Sequence, residues 1–245
     1  MKEYIYSRNA VYETLRAGRR QVHQLLIADG VQEKGRLSEI VTLAHQQKIK
    51  FERVPRNHLD SIHRQHQGVA LQVGGYPYGD LLDIFNLAQN RAEAPFVLLL
   101  DTLQDPQNLG TLLRTAESVG VHGVLIPLAR TAQVTPAVVN ASSGASEHLL
   151  IAPANLAQAI NILKENDVWV IGLEGSPEAQ PPSQIRLDGP LALVVGSEGQ
   201  GMRPLVRKSC DLLLQLPMRG KVDSLNAAVA GSIALYFAWQ ARNFQ

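Results

Sequence analysis

Three short stretches of this 245-residue sequence combine glycine, amide, carboxylate and arginine side chains in ways that suit a ligand site. The first runs Leu100-Asp101-Thr102-Leu103-Gln104-Asp105-Pro106-Gln107-Asn108-Leu109-Gly110 and on to Arg114. Asn108 stands near an expected helix start. Arg114 lies about two turns inside that helix, after small or apolar neighbours, where it either meets a ligand or pairs with Glu117 at i,i+3. The second is Gly196-Ser197-Glu198-Gly199-Gln200-Gly201, three glycines around one carboxylate. Glycines let a backbone approach a ligand closely and adopt positive φ, although a plain glycine-rich turn reads the same way. The third is Leu216-Pro217-Met218-Arg219-Gly220-Lys221-Val222-Asp223-Ser224-Leu225-Asn226. Here Ser224 suits a helix cap, and Asn226 in an apolar helix start wants a buried partner; simple capping is the alternative.

Several chemistries are set aside on pattern. The glycines follow G-x-x-G-x-G rather than the dinucleotide G-x-G-x-x-G, and no phosphate-loop lysine follows them. Neither a His-Glu-x-x-His metal pattern nor a Gly-x-Ser-x-Gly nucleophile elbow occurs. Five of the seven histidines fall at 23, 45, 58, 63 and 66, away from the three stretches. His63 and His66 are read as polar surface residues, and no metal is expected.

The elements that must hold these stretches follow from periodicity. In the front seventy residues, Ser7 is expected to cap a helix over Arg8–Ala17 that stops at Gly18. Strands are expected at Val22–Ala28, Lys50–Val54 and Gly68–Val73, with helices over Glu33–Gln47 and Asn57–His63. Alternation of this kind makes a small α/β domain over residues 1–73. A Gly- and Pro-rich break, with a helix over Asp80–Asn90, makes 74–94 a linker. From 95 to 245 the alternation strengthens. The continuous apolar runs Phe96–Leu100 and Leu191–Val195 suit strands buried on both faces, with further strands at Gly123–Ile126, Val168–Leu173 and Leu212–Leu216. Helices over Leu109–Val119, Asn155–Asn166 and Leu225–Gln240 complete a parallel sheet covered by helices. In such a sheet ligands bind beyond the carboxyl ends of strands, where the three stretches lie.

Composition sets the context. Residues 1–72 hold 12 Lys and Arg against 7 Asp and Glu, hence +5, whereas the remainder hold 11 against 15, hence −4. A basic front piece attracts phosphates. The single cysteine, Cys210, cannot form an internal disulfide, and the first ten residues lack a signal peptide's apolar run, which together point to a cytoplasmic protein. Leu225–Ala241 carries no charge but is short for a membrane span and holds Asn226 and Gln240; it is expected to be buried or shared with a partner subunit.

Together the three stretches resemble the three motifs of the SpoU family of RNA 2′-O-ribose methyltransferases, within the SPOUT superfamily. Asn108 to Arg114 is similar to motif one, Gly196-Ser197-Glu198-Gly199 to motif two, and Pro217-Met218 with Ser224-Leu225-Asn226 to motif three, across essentially all of 95–245. Tyr6-Ser7-Arg8-Asn9-Ala10-Val11 and His66-Gln67-Gly68-Val69-Ala70 resemble the ribosomal-protein-like substrate-binding domain of members that modify a guanosine of 23S ribosomal RNA. One departure is Ser7, where that pattern has glycine. The resemblance implies a deep trefoil knot, a homodimer, and S-adenosylmethionine as cofactor, held by Gly196, Leu216, Met218 and Leu225. It further implies a catalytic set of Arg114, Asn108, Glu198, Ser224 and Asn226, with structured RNA as substrate. Transfer RNA or another ribosomal site as substrate, a non-catalytic ribosome-assembly factor, and a dinucleotide oxidoreductase are the competing readings; the missing G-x-G-x-x-G weighs against the last.

Overall fold

The structure, a computed structural model, describes residues 2–129, 132–222 and 224–244. In chain order the first elements are β1 (Glu3–Tyr6), α1 (Arg8–Ala17), β2 (Val22–Ala28), α2 (Arg36–Gln46), β3 (Phe51–Val54), α3 (Arg56–Ile62), β4 (Val69–Val73) and α4 (Leu81–Arg91). Then come β5 (Phe96–Leu100), α5 (Pro106–Ser118), β6 (Gly123–Pro127), α6 (Pro136–Ala141), a 3-10 turn at Ala145–His148, β7 (Leu150–Ala154), α7 (Leu156–Glu165) and β8 (Trp169–Leu173). A second 3-10 turn at Pro182–Gln184, β9 (Leu191–Val195), α8 (Pro204–Ser209), β10 (Leu212–Leu214) and α9 (Ala227–Ala241) follow. The chain packs as two compact units: residues 1–77 with 133–148, and residues 78–132 with 149–245.

The first unit is built on a four-stranded sheet of order β1-β4-β2-β3, antiparallel except for the β2–β3 pair. The short strand β1 escaped periodicity because four residues hold too little pattern. Ser7 does occupy the cap position of α1, at φ 75° and ψ 148°, but its side chain makes no capping bond. That backbone conformation is one glycine adopts freely, which gives a physical reason for glycine in the resembling pattern. His66 is fully buried, contrary to its reading as a surface residue: Nδ1 accepts from Gly68 N at 2.8 Å and Nε2 donates to Asp60 Oδ1 at 3.1 Å. The segment 133–148 joins this unit through Glu147, whose carboxylate takes three bonds from the buried Arg20 guanidinium at 2.9 to 3.1 Å. Arg20 also donates to Glu3 at 3.0 Å and to the Gly74 carbonyl at 3.2 Å.

The second unit is a six-stranded sheet of order β10-β8-β9-β5-β6-β7, parallel throughout. β5, β6 and β9 are buried at every position, as their continuous apolar sequences require. From β5 the chain winds outward through β6 and β7, then crosses to β8 on the far side of β9. The reversal of direction lies between β5 and β9, where Leu100 pairs with Val195. The crevice beyond these two strand ends is where an open parallel sheet binds ligands.

Candidate active site

The site begins one residue past those paired strand ends. Asp101 and Gly196 follow Leu100 and Val195, so β5 delivers the first stretch and β9 the second. After Gly196 the chain doubles back on itself: Ser197 N donates to Gly201 O at 3.1 Å and Gly201 N returns to Ser197 O at 3.0 Å. A side chain at 196 is excluded, since a Cβ there would sit 2.2 Å from the Gly201 carbonyl carbon. Asp101, fully buried, closes the base of this loop by accepting from Arg203 N and Arg203 Nε, each at 2.7 Å. Motif reading missed Asp101; the signal available was an acidic residue directly after a fully apolar strand.

Glu198, carried at the loop's exposed tip, gathers the ends of two helices. Its Oε1 accepts from Asn108 Nδ2 at 3.3 Å, from Asn226 Nδ2, and from Ala227 N at 3.4 Å. Asn226 Nδ2 also reaches Asn108 Oδ1 at 3.1 Å, closing a triangle of three side chains drawn from the three stretches. Asn108 sits in the first turn of α5, behind the true cap Asp105, which accepts from Gln107 N at 3.0 Å. Asn226 itself caps α9, its Oδ1 accepting from Ala228 N at 2.9 Å and Val229 N at 3.2 Å. The cap expected at Ser224 is therefore two residues early. The helix opens where an amide can cap it and bind Glu198 at once, and Ser224 and Leu225 stand exposed before it.

The remaining expected residues surround this triangle in sequence. Arg114 is exposed on α5, six residues past Asn108, or about 9 Å along the axis at 1.5 Å per residue. Leu216 is half-buried, and Met218 and Leu225 expose 44% and 38% of their surface. Asp223 of the third stretch lies outside the described residues. Leu216–Val222 and Ser224–Leu225 form neither helix nor strand, and Met218, Val222 and Leu225 expose apolar side chains along them. A glycine-rich loop, with exposed apolar side chains on the irregular stretch that leads into α9, suits a purine nucleoside with an aliphatic tail, such as S-adenosylmethionine.

The helices bearing the triangle are locked together. Gly231 of α9 meets α5 so closely that a Cβ would lie 2.6 Å from Leu112 Cδ2, and Thr115 Oγ1 contacts Ser232 Oγ at 2.9 Å. Burial beside Asp211 pushes the Cys210 thiol up to about 12, which leaves it without nucleophilic thiolate at neutral pH. Among the described residues no cluster of His, Cys, Asp and Glu could hold a metal ion, and no helix is long and apolar enough to cross a membrane.

Comparisons with known proteins bear on this geometry. Residues 95–236 match the sequence profile of the SpoU rRNA Methylase family, and residues 4–79 match that described as RNA 2′-O ribose methyltransferase substrate binding. The chain is 43% identical over 245 residues to YacO, a Bacillus subtilis (strain 168) protein assigned to the TrmH family of tRNA/rRNA methyltransferases, covering 98% of this chain and 96% of the relative. A Staphylococcus saprophyticus protein of the same assignment is 41% identical over 244 residues, with the same coverage of 98% and 96%. Among solved structures, the SpoU methyltransferase AviRb of Streptomyces viridochromogenes in complex with AdoMet superposes with a TM-score of 0.79 at 21% identity, over 100% of this chain and 92% of that one. An AdoMet-bound rRNA methyltransferase of Sinorhizobium meliloti gives 0.80 at 23% identity, over 98% and 87%. At those identities the structural likeness establishes the fold.

Proposed function

The chain belongs to the SpoU family of RNA 2′-O-ribose methyltransferases, and from that premise we propose that it methylates the 2′-hydroxyl of a guanosine in 23S ribosomal RNA, with S-adenosylmethionine as donor. The observation that carries the reading is the Asn108–Glu198–Asn226 triangle, because it unites all three candidate stretches at the sheet's crossover point. The donor, when bound, supplies an already activated methyl group. Catalysis then rests on holding the hydroxyl in line with it, and alignment of this kind supplies a large share of barrier reduction.

In this reading Gly196, Leu216, Met218 and Leu225 hold the donor through backbone groups and apolar contact. Glu198 keeps the helix starts of α5 and α9 fixed, and Asn108, Asn226 and Ser224 shape the ribose pocket. Arg114 either grips the phosphate beside the target ribose or takes the hydroxyl proton; a guanidinium normally stays charged, which favours the grip. Replacing Arg114 with Ala is expected to abolish methyl transfer to unmodified ribosomal RNA while leaving donor affinity within about twofold, since the side chain meets the acceptor only. Transfer by the variant at the wild-type rate would remove Arg114 from the mechanism.

Three further features belong to the proposal. The path from β9 through the 196–203 loop, out to β10 and back into α9 against α5 supports the trefoil knot. Val229, Ile233 and Tyr236 leave an apolar face of α9 exposed beside a groove of about 370 Å³ lined by Ser232, Ile233, Tyr236, Phe237, Gln240 and Phe244. That face supports a homodimer, which sedimentation at micromolar concentration tests. The excess positive charge of the first unit supports its role in gripping structured RNA. Mapping 2′-O-methyls on 23S ribosomal RNA after incubation with protein and donor tests the whole reading; a methyl on transfer RNA alone would move the substrate.

A further inference from the structure

The cations of the first unit are not equivalent. Arg16, Arg20, Arg36 and Arg53 are spent on carboxylates within the unit. Arg8 is not: among the described residues no carboxylate pairs with it. Its backbone N–H donates to Gln67 Oε1 at 3.0 Å and its Nε to Gln67 O at 3.2 Å. The first bond ties the start of α1 to the Gln67 side chain, and the second orients the guanidinium while leaving its two terminal nitrogens for a partner. A pre-aimed fork of donors is the arrangement that binds phosphate at least entropic cost.

His63 stands in the same cluster. Its ring stacks on Tyr6, the residue two before Arg8, with centroids 3.9 Å apart and planes 11° apart. Nδ1 accepts from Gln65 N at 3.1 Å, which places the proton of the neutral ring on Nε2. Nε2–H then has no acceptor among the described residues. The turn between them is rigid, because the buried His66 ring holds Gly68 N and Asp60. Gln67, at φ 53°, is kept in a left-handed conformation within it. Arg64, also without a carboxylate partner among the described residues, follows His63 directly. Surface arginines without such purchase on the fold would swing freely, whereas here each donor is braced by a neighbour.

We propose that Arg8 and His63 form a phosphate-binding point for the RNA backbone on the first unit, with Arg8 Nη1 and Nη2 and His63 Nε2 as the donors. This rests on the reading of that unit as the RNA grip. A contact of this kind positions the RNA without reading its bases, so its role is to set the register of the substrate.

The test uses the full chain and two variants that keep the local packing. Arg8→Gln retains a polar side chain without charge, and His63→Phe retains the stack on Tyr6 without the donor. Fluorescence anisotropy with unmodified 23S ribosomal RNA fragments transcribed in vitro measures affinity across a salt series. Arg36→Ala, which removes an arginine already paired with Glu39, serves as the control. The double variant is expected to bind about tenfold more weakly, with a salt slope shallower by about one, while melting temperature and donor affinity stay unchanged. Affinity and slope equal to wild type in the double variant would overturn the site while leaving the unit's RNA role intact. Loss of the same size in Arg36→Ala would reduce the effect to bulk charge and overturn the site as well. Absence of RNA binding by the wild-type chain would instead remove the reading on which the proposal stands.

Discussion

At the residue scale, function turns on positions where one atom more or less decides whether the chain can close. Gly196→Ala would drive a methyl group into the Gly201 backbone, which no rotamer change relieves. Donor affinity measured by calorimetry is expected to fall at least about tenfold, because the loop must open to make room. Ser7 makes the opposite case. It holds a φ of 75° without a capping bond in return, so strain of about 1 kcal/mol is stored there. Ser7→Gly is expected to raise the melting temperature by about 2–4 °C, read by calorimetry, since glycine adopts that conformation freely. An unchanged or lower melting temperature would mean the hydroxyl contributes something the hydrogen bonds do not show.

Elements matter through how their ends are tied. The start of β5 is secured from the loop after α5: His122 Nδ1 accepts from Phe96 N at 3.0 Å, and Nε2 donates to Glu93 Oε2 at 3.0 Å. Burial lowers the pKa of this ring, more than the neighbouring Glu93 raises it. The folded protein thus resists protonating His122, while the unfolded chain protonates it near 6.5. Between those values the unfolded state binds more protons, so stability rises with pH and is lost as pH falls below about 6.5. His122→Asn, which keeps an acceptor for Phe96 N, should flatten the dependence of denaturation free energy on pH between about 6.5 and 5 relative to wild type. Identical slopes would show that other groups govern acid sensitivity.

Across the whole molecule, the notable tie is between distant stretches of chain. Arg20 and Glu147 lie 127 positions apart and meet with side chains 0% and 1% exposed. Truncating one member of such a pair leaves the other's buried charge only partly compensated. Glu147→Gln is expected to destabilise the first unit by about 3 kcal/mol in a denaturant titration, because among the described residues Arg20 then keeps only Glu3 as a carboxylate partner. A loss under about 1 kcal/mol would mean the site relaxes or admits water. The pair also means that residues 1–77 draw part of their packing from 133–148, a segment placed between β6 and β7.

What the linear sequence determined by itself was set by local rules. Continuous apolar runs marked β5 and β9, amphipathic periods marked α1, α5 and α7, and glycine with amide and carboxylate spacing marked Gly196, Asn108, Glu198 and Asn226. Each depends on residues within a few positions of one another. Tertiary structure alone decided the rest. Four-residue β1 forms only because β4 offers it partners, and β7, whose proline and alanines carry no strand signal, is held by β6. Asn226 rather than Ser224 caps α9 because Glu198 is waiting in space to receive its amide. The Asp101–Arg203 clasp and the Arg20–Glu147 pair join residues more than a hundred positions apart, and no period or spacing carries a signal over that distance. Local propensity encodes elements, whereas burial and charge pairing between distant stretches become definite only when the folded chain brings them together.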